Sequence, residues 1–302
     1  MNPIIRSMRL RTLPLSLSGV ICGAFLASPE ITISSATTFL FLILTTISLQ
    51  ILSNLSNELG DHLSGTDSEG REGPMYSLGE GKITISRFKR VIGIFVLLCC
   101  FFGATMTWMV FKTFFCWHAV AMLLLGVCAI WAAMHYTLGR HPYGYRGLGD
   151  LFVFIFFGLV SVLGGAWVMT GELMCHGWQV LPACGIGLFS IGVLNVNNIR
   201  DMQSDADTRL TIPLRIGEHR AKIYHTFLIL GGWICFLLFT FLSPSSICHF
   251  PLSALYLLLL PVYIVHLVCV LKRSGKALDS MLPLLVMSTF ALSILFGLGL
   301  VL

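Results

Sequence analysis

The chain has 302 residues, of which 56% are hydrophobic and 11% charged, with a mean hydropathy of +0.87. About a quarter of the residues of a soluble domain are charged, so this composition excludes a soluble α/β enzyme and a secreted disulfide scaffold and points to lipid as the solvent. A formal net charge of +5 then matters through its placement along the chain.

A hydrocarbon core takes roughly 20 apolar residues per helical span. Uninterrupted apolar stretches predict helices over about residues 13–31, 36–56, 90–111, 115–135, 148–170, 178–198, 222–242, 252–271 and 281–302. The first follows Arg-Thr-Leu-Pro and lacks a small-residue cleavage site, so it is read as a retained helix. With Met1 inside, all of the 19 lysines and arginines except Lys112 fall on the inner face, while the outer face carries Glu30 and Glu172. This split obeys the positive-inside rule, and a missed or invented span would scramble it. The expectation is an all-α integral membrane protein, a nine-helix bundle forming one domain over residues 1–302. Ten cysteines are scattered through or beside the spans without metal-ligand spacing and read as free thiols packed as small hydrophobes. No nucleic-acid module is visible, and no obligatory protein partner is inferred.

Two inner segments are too long and too polar for connectors. The first leaves the second predicted helix as LSNLSNELGDHLSGTDSEGREGP, and the second leaves the sixth as LNVNNIRDMQSDADTRLTIPLRIG. In the first, Asn54, Asn57 and Asp61 stand at i, i+3 and i+7, which is one face of a helix. Asn198, Asp201 and Asp205 repeat that spacing in the second. Asp67 extends the first set and Asn197 doubles the second, giving a weak internal repeat whose two clusters can face one another.

Carboxylates at helix ends inside a lipid-soluble protein are costly to desolvate and are functional candidates. With no His or Cys set around them, they favour a hard cation. Mg²⁺ takes one or two protein carboxylates and completes its shell with water and substrate phosphate, which implies a diphosphate ligand. Lys82, Arg140, Arg146, Arg200 and Arg209 lie near the same segments and are candidates to neutralise its non-bridging oxygens. The remaining inner cations, such as Arg87, Lys89, Arg220 and Lys272, read as topogenic charges at lipid headgroups. A multi-span transporter is the alternative from another class. Transporters commonly carry ionisable groups near mid-bilayer, whereas here nearly every acid lies at an inner end.

These residues carry a resemblance. The chain resembles the UbiA-type intramembrane prenyltransferases, with NELGDHLSGTD matching the first aspartate-rich motif at Asn57, Asp61 and Asp67, and NNIRDMQSD the second at Asn198, Asp201 and Asp205. RLRTLPLSLSGVICG from Arg9, YTLGRHPYGYRGLGD from Tyr136 and TIPLRIG from Thr211 resemble the branch that prenylates 1,4-dihydroxy-2-naphthoate. Glu58 stands where Asp is commoner in the family, Asp150 where Glu is commoner, and Arg209 where Gly-Lys is usual.

The resemblance implies a central cavity open to the cytoplasmic side and laterally to the bilayer, with Mg²⁺ held by Asp61, Asp67, Asp201 and Asp205. It implies a polyprenyl diphosphate donor and 1,4-dihydroxy-2-naphthoate as acceptor, joined with loss of CO₂ and diphosphate to give a demethylmenaquinol. Asp61, Asp201 and Arg146 are the expected catalytic residues. Asn54, Asn57, Asn197, Asn198, Lys82, Arg11, Tyr136, Tyr145, Arg200 and Arg209 are the expected substrate-binding set. Arg9, Arg11 or Arg146 is expected to pair with the acceptor carboxylate, and Tyr136, Tyr143 and Tyr145 to shield an allylic cation or orient the ring. Phe152, Phe154, Phe156 and Phe157 are read as lipid-facing or helix-packing. Spacing alone leaves another acceptor, such as 4-hydroxybenzoate, open. The expected location is the bacterial inner membrane, with the N-terminus and active-site loops cytoplasmic and the C-terminus outside.

Overall fold

The computed structural model describes residues 2–27, 33–65, 77–173, 177–206, 208–243 and 252–302. Among these there is no strand, and nine helices are long and apolar enough to cross a membrane. They are α1 (Pro3–Ala27), α2 (Ser35–Leu63), α3 (Ile85–Phe111), α4 (Trp117–His135), α5 (Gly149–Thr170), α6 (Gly177–Arg200), α7 (Glu218–Leu242), α8 (Leu252–Lys272) and α9 (Gly275–Val301).

All nine expected spans are present, but several run past their apolar stretch. α2, expected to stop near residue 56, continues to Leu63; α3 starts at Ile85 rather than 90, and α7 at Glu218 rather than 222. The apolar run marks hydrocarbon depth, whereas backbone hydrogen bonding continues until a cap or turn intervenes. Thr84 Oγ1 opens α3 by accepting from Arg87 N at 3.4 Å, and Lys112 closes it in the left-handed region at φ 56°. α1 is interrupted at Arg9, φ 49°, between a short helix Pro3–Ser7 and the longer Leu13–Ala27.

The bundle inverts a soluble fold. Phe115, Phe227 and Leu97 are 96%, 69% and 69% exposed, an apolar exterior suited to lipid, while carboxylates and amides are buried. Phe189, Phe236, Phe239, Tyr256, Tyr263 and Phe296 form an aromatic core among α6, α7, α8 and α9. Across α7 and α8 the fully buried His225 and His266 meet with their Nε2 atoms 3.0 Å apart. Leu52, Leu55 and Phe88 pack α2 on α3. α1 lies against α5 at backbone distance: a Cβ on Gly23 would sit 2.0 Å from the Val162 carbonyl oxygen. Small residues permit this close approach between membrane helices.

Within α5, residues Phe154–Val160 form a π-helical stretch between α-helical Gly149–Val153 and Ser161–Thr170. The helix-packing expectation holds for Phe154 and is corrected for Phe152, Phe156 and Phe157. Phe156 and Phe157 both line an internal cavity together with Phe152, while Phe154 packs on Gly187 of α6.

Candidate active site

That cavity, about 630 Å³, is open to the outside and lined by α1 to α6 and α9. One end is polar, with Asn54, Asn57, Asp61, Asn197, Asn198, Arg200 and Arg209 on its walls; the other is apolar, with Val20, Leu42, Met106, Met122 and Val168. Leu42 and Asp61 lie on the same helix, so at 1.5 Å rise per residue the cavity runs about 28 Å along α2. A ligand with a charged head and a long apolar tail matches this polarity.

Because α2 stays helical to Leu63, Asn54, Asn57 and Asp61 fall on one stripe and all three face the cavity. α6 ends at Arg200, and a short helix Met202–Asp205 follows, carrying the second motif towards the first. The two meet on Arg209. Its Nη2 donates to Asp61 Oδ1 at 2.7 Å, and its Nε lies 3.4 Å from Asp205 Oδ1, with the Arg209 side chain 10% exposed. The guanidinium stacks over Tyr145 at 5.0 Å, and the Tyr145 hydroxyl donates to the same Asp61 oxygen at 2.8 Å. Leu210 N donates to the Tyr145 carbonyl at 3.0 Å, which fixes the Arg209 segment against the Tyr143–Arg146 turn.

Burial alone would make Arg209 less basic, but Asp61 and Asp205 outweigh it and hold the guanidinium above its ordinary range. Burial, then the Asp61 charge, pushes the Tyr145 phenol up. Burial likewise raises Tyr136, on the cavity wall, to about 12. Both phenols stay neutral at physiological pH, Tyr145 as a hydrogen-bond donor to Asp61.

Asp201 sits differently from its sequence twin Asp61. Arg200 Nε donates to its Oδ1 and Arg200 Nη2 to its Oδ2, both at 2.8 Å, and Arg200 Nη1 reaches Asp279 at 2.7 Å. Arg200 and Asp201 are both 3% exposed. Asn197 belongs to the same knot, accepting from Arg200 Nη2 at 2.9 Å and donating to Asp201 at 3.3 Å.

The other sequence candidates divide. Arg9 and Arg11 both line the cavity. Asn54 also ties the N-terminal segment down, donating to the Met8 carbonyl at 2.8 Å and to Thr12 Oγ1 at 2.9 Å. Asn57 Oδ1 accepts from Thr137 at 3.3 Å. Lys82 is not brought to this cluster: it is 55% exposed and pairs with Glu80 at 2.8 Å. Arg146 is exposed, with its carbonyl accepting from Arg215 at 3.1 Å, and neither it nor Arg140 lines the cavity. Asp67 lies outside the described residues.

Sequence reasoning missed Gln50, which bridges Thr12 and Asn54 at 3.1 Å each and accepts from Ser16. A lone amide in an apolar stretch was its available signal. It also missed the anchoring role of Glu58, which is fully buried and accepts from Leu78 N at 2.9 Å.

Among the described residues, no three acidic, His or Cys side chains gather as a self-sufficient metal site. The donors nonetheless fit Mg²⁺. Carboxylates from both motifs already converge on a positive charge, with the side chains of Asn57 and Asn198 on the adjoining walls, and Mg²⁺ relies on one or two carboxylates plus substrate phosphate.

Comparison with known proteins identifies the family and the fold. The sequence model of the UbiA prenyltransferase family matches residues 16–296. A 1,4-dihydroxy-2-naphthoate octaprenyltransferase of Escherichia coli is 36% identical, covering 98% of this chain and 94% of its own length. That of Haemophilus influenzae is 34% identical, covering 97% and 93%. A UbiA homolog from Archaeoglobus fulgidus, solved with GPP and Mg²⁺ bound, superposes with a TM-score of 0.68 at 15% identity over 99% of each chain.

Proposed function

The chain belongs to the UbiA prenyltransferase family, and from that premise we propose that it transfers a polyprenyl group from polyprenyl diphosphate to 1,4-dihydroxy-2-naphthoate, releasing CO₂ and diphosphate and yielding a demethylmenaquinol. The acceptor rests on near-full-length relatives that carry this activity in their names. The observation that carries the chemistry is the convergence of Asp61 and Asp205 on one cation at the polar mouth of a long apolar cavity.

The allylic C–O bond breaks and its electron pair leaves with the diphosphate. The ring carbon bearing the carboxylate attacks the allylic carbon, a C–C bond forms, and loss of CO₂ returns an electron pair to the ring. Mg²⁺, when bound by Asp61 and Asp205 with the diphosphate, supplies charge neutralisation for the leaving group. Arg209, on the polar wall of the cavity, would share that task. Phe152, Phe156 and Phe157 exclude water from the cavity wall, so that the developing cation meets the ring before it meets a hydroxyl. Tyr136 and Tyr143 also face the cavity, and their π faces suit a cation. Arg11 suits the acceptor carboxylate. The positive-inside pattern supports a cytoplasmic N-terminus and active site and an outer C-terminus in the bacterial inner membrane.

Mass spectrometry of products tests this, using detergent-purified protein, a polyprenyl diphosphate, Mg²⁺ and either 1,4-dihydroxy-2-naphthoate or 4-hydroxybenzoate, with EDTA controls. An EDTA-sensitive prenylated naphthoquinol lacking the carboxyl carbon is the expected result. Product from hydroxybenzoate alone would overturn the acceptor, and none from either would overturn the activity.

A further inference from the structure

We propose that Arg209 is an internal counter-ion that reserves the Asp61–Asp205 pair, so that a divalent metal enters together with a diphosphate and is refused on its own. This rests on the reading above, that the two carboxylates receive Mg²⁺ and diphosphate.

The guanidinium occupies the ground between the two motifs, 2.7 Å from Asp61 and 3.4 Å from Asp205. It is held from one face by the Tyr145 ring at 5.0 Å, and its backbone is pinned beside that tyrosine by the Leu210–Tyr145 hydrogen bond of 3.0 Å. The position is therefore constructed on three sides rather than reached by a wandering side chain. An arginine keeps its proton under all ordinary conditions, so the charge leaves this ground only by moving. A metal arriving alone would strip a nearly buried cation of both carboxylates and leave two positive centres side by side. That state is unfavourable because an ion separated from its partner in a buried site keeps its desolvation cost. A diphosphate changes the balance. Its oxygens are the geometry a guanidinium fork binds best, so Arg209 transfers from carboxylate to phosphate as the metal takes the carboxylates. Metal and diphosphate then bind with positive coupling, and the coupling is reciprocal. When diphosphate departs, Arg209 returns to the aspartates and weakens the hold on the metal left behind.

The test uses the full chain in detergent and Mn²⁺ alone as the probe, read by electron paramagnetic resonance without any diphosphate. Arg209→Gln is expected to bind Mn²⁺ about tenfold more tightly than the unaltered protein, within the ordinary range of coupling, and Arg209→Lys to gain about twofold at most, since lysine keeps the charge and loses only the planar fork. Introducing Asp61→Asn into Arg209→Gln is expected to abolish the gain. No gain in Arg209→Gln would overturn the proposal, as would an equal gain in Arg209→Lys, which would trace the effect to the shape of the side chain and not to its charge. If turnover stays EDTA-sensitive in either case, the metal reading of the site stands without the counter-ion role. Absence of Mn²⁺ binding in every protein, with EDTA-insensitive turnover, would overturn both. Thermal unfolding of the metal-free proteins verifies that the variants are folded. Mn²⁺ alone should raise the Tm of Arg209→Gln by more than that of the unaltered chain.

Discussion

Arg200 grips both carboxylate oxygens of its neighbour Asp201, at 2.8 Å each, and does so with 3% of either side chain exposed. The aspartate expected to mirror Asp61 is thus held in a local ion pair that extends to Asp279. Removing one partner of a buried pair strands the other charge, at a cost of about 3–5 kcal/mol. Arg200→Ala should lower the Tm in detergent by a corresponding amount, and Arg200→Lys should recover only part of it, since an ammonium cannot hold two oxygens in one plane. A Tm unchanged in Arg200→Ala would show that the pair is structurally idle.

Asp61 should respond in the opposite way. It accepts from Arg209 and Tyr145 on one oxygen and faces the cavity. Asp61→Asn keeps the volume but loses the charge, and product formation should fall by about 100-fold or more, with a Tm loss smaller than that of Arg200→Ala because Asp205 still faces the Arg209 guanidinium. Tyr145→Phe, which removes only the hydroxyl donor, should fall less. Mass-spectrometric rates with saturating donor and acceptor decide between them, and retained turnover in Asp61→Asn would remove this residue from the chemistry.

The acceptor carboxylate distinguishes two arginines. Arg11 lines the cavity, as does Arg9, whereas Arg146 does not. A charge-assisted hydrogen bond contributes about 1.5–3 kcal/mol, so Arg11→Ala should raise the acceptor KM by about tenfold or more and leave the donor KM nearly unchanged. Arg146→Ala should shift the acceptor KM by far less. Equal shifts in both variants would contradict this assignment.

Alkaline pH offers a separate probe. Burial raises the Tyr136 phenol to about 12, while an unfolded tyrosine titrates near 10. Between those values the folded chain holds a proton that the unfolded chain has released, so this contribution is whole below pH 10 and is lost as pH rises towards 12. Tyr136→Phe should therefore show a shallower fall of Tm between pH 10 and 12. Parallel Tm profiles for both proteins would refute the burial effect.

The spans were legible in the sequence because hydrophobic length and the side on which cations collect are both set by the bilayer, and each constrains the other. The Asn54, Asn57 and Asp61 stripe was legible for a local reason: the spacing of a helix survives folding unchanged. Pairings between distant segments were not. Lys82 looked like a phosphate ligand by its nearness to the first motif, but Glu80 two residues earlier captures it. Glu58 looked like a variant of a ligand position, yet its carboxylate is turned to Leu78 N, 20 residues further on. No periodicity reports which of two neighbouring acids a later loop will claim. The meeting of Arg209 with Asp61 spans 148 residues, and the sequence offered only the expectation that the two acidic clusters face one another.

The π-helical stretch in α5 gives the span an uneven tolerance to change in length. A π-bulge carries more residues per turn than its α-helical flanks, so residues Phe154–Val160 hold surplus chain. Deleting one residue there would let the segment relax to an α-helix while Asp150 keeps its Tyr224 partner, 2.8 Å away, and Gly165 keeps its seat against Val20 of α1. The same deletion at 161–164 would rotate the following residues by about 100° and turn Gly165 away from α1. The bulge is thus the one stretch of α5 where a codon could be lost without changing which neighbours the two ends of the helix meet.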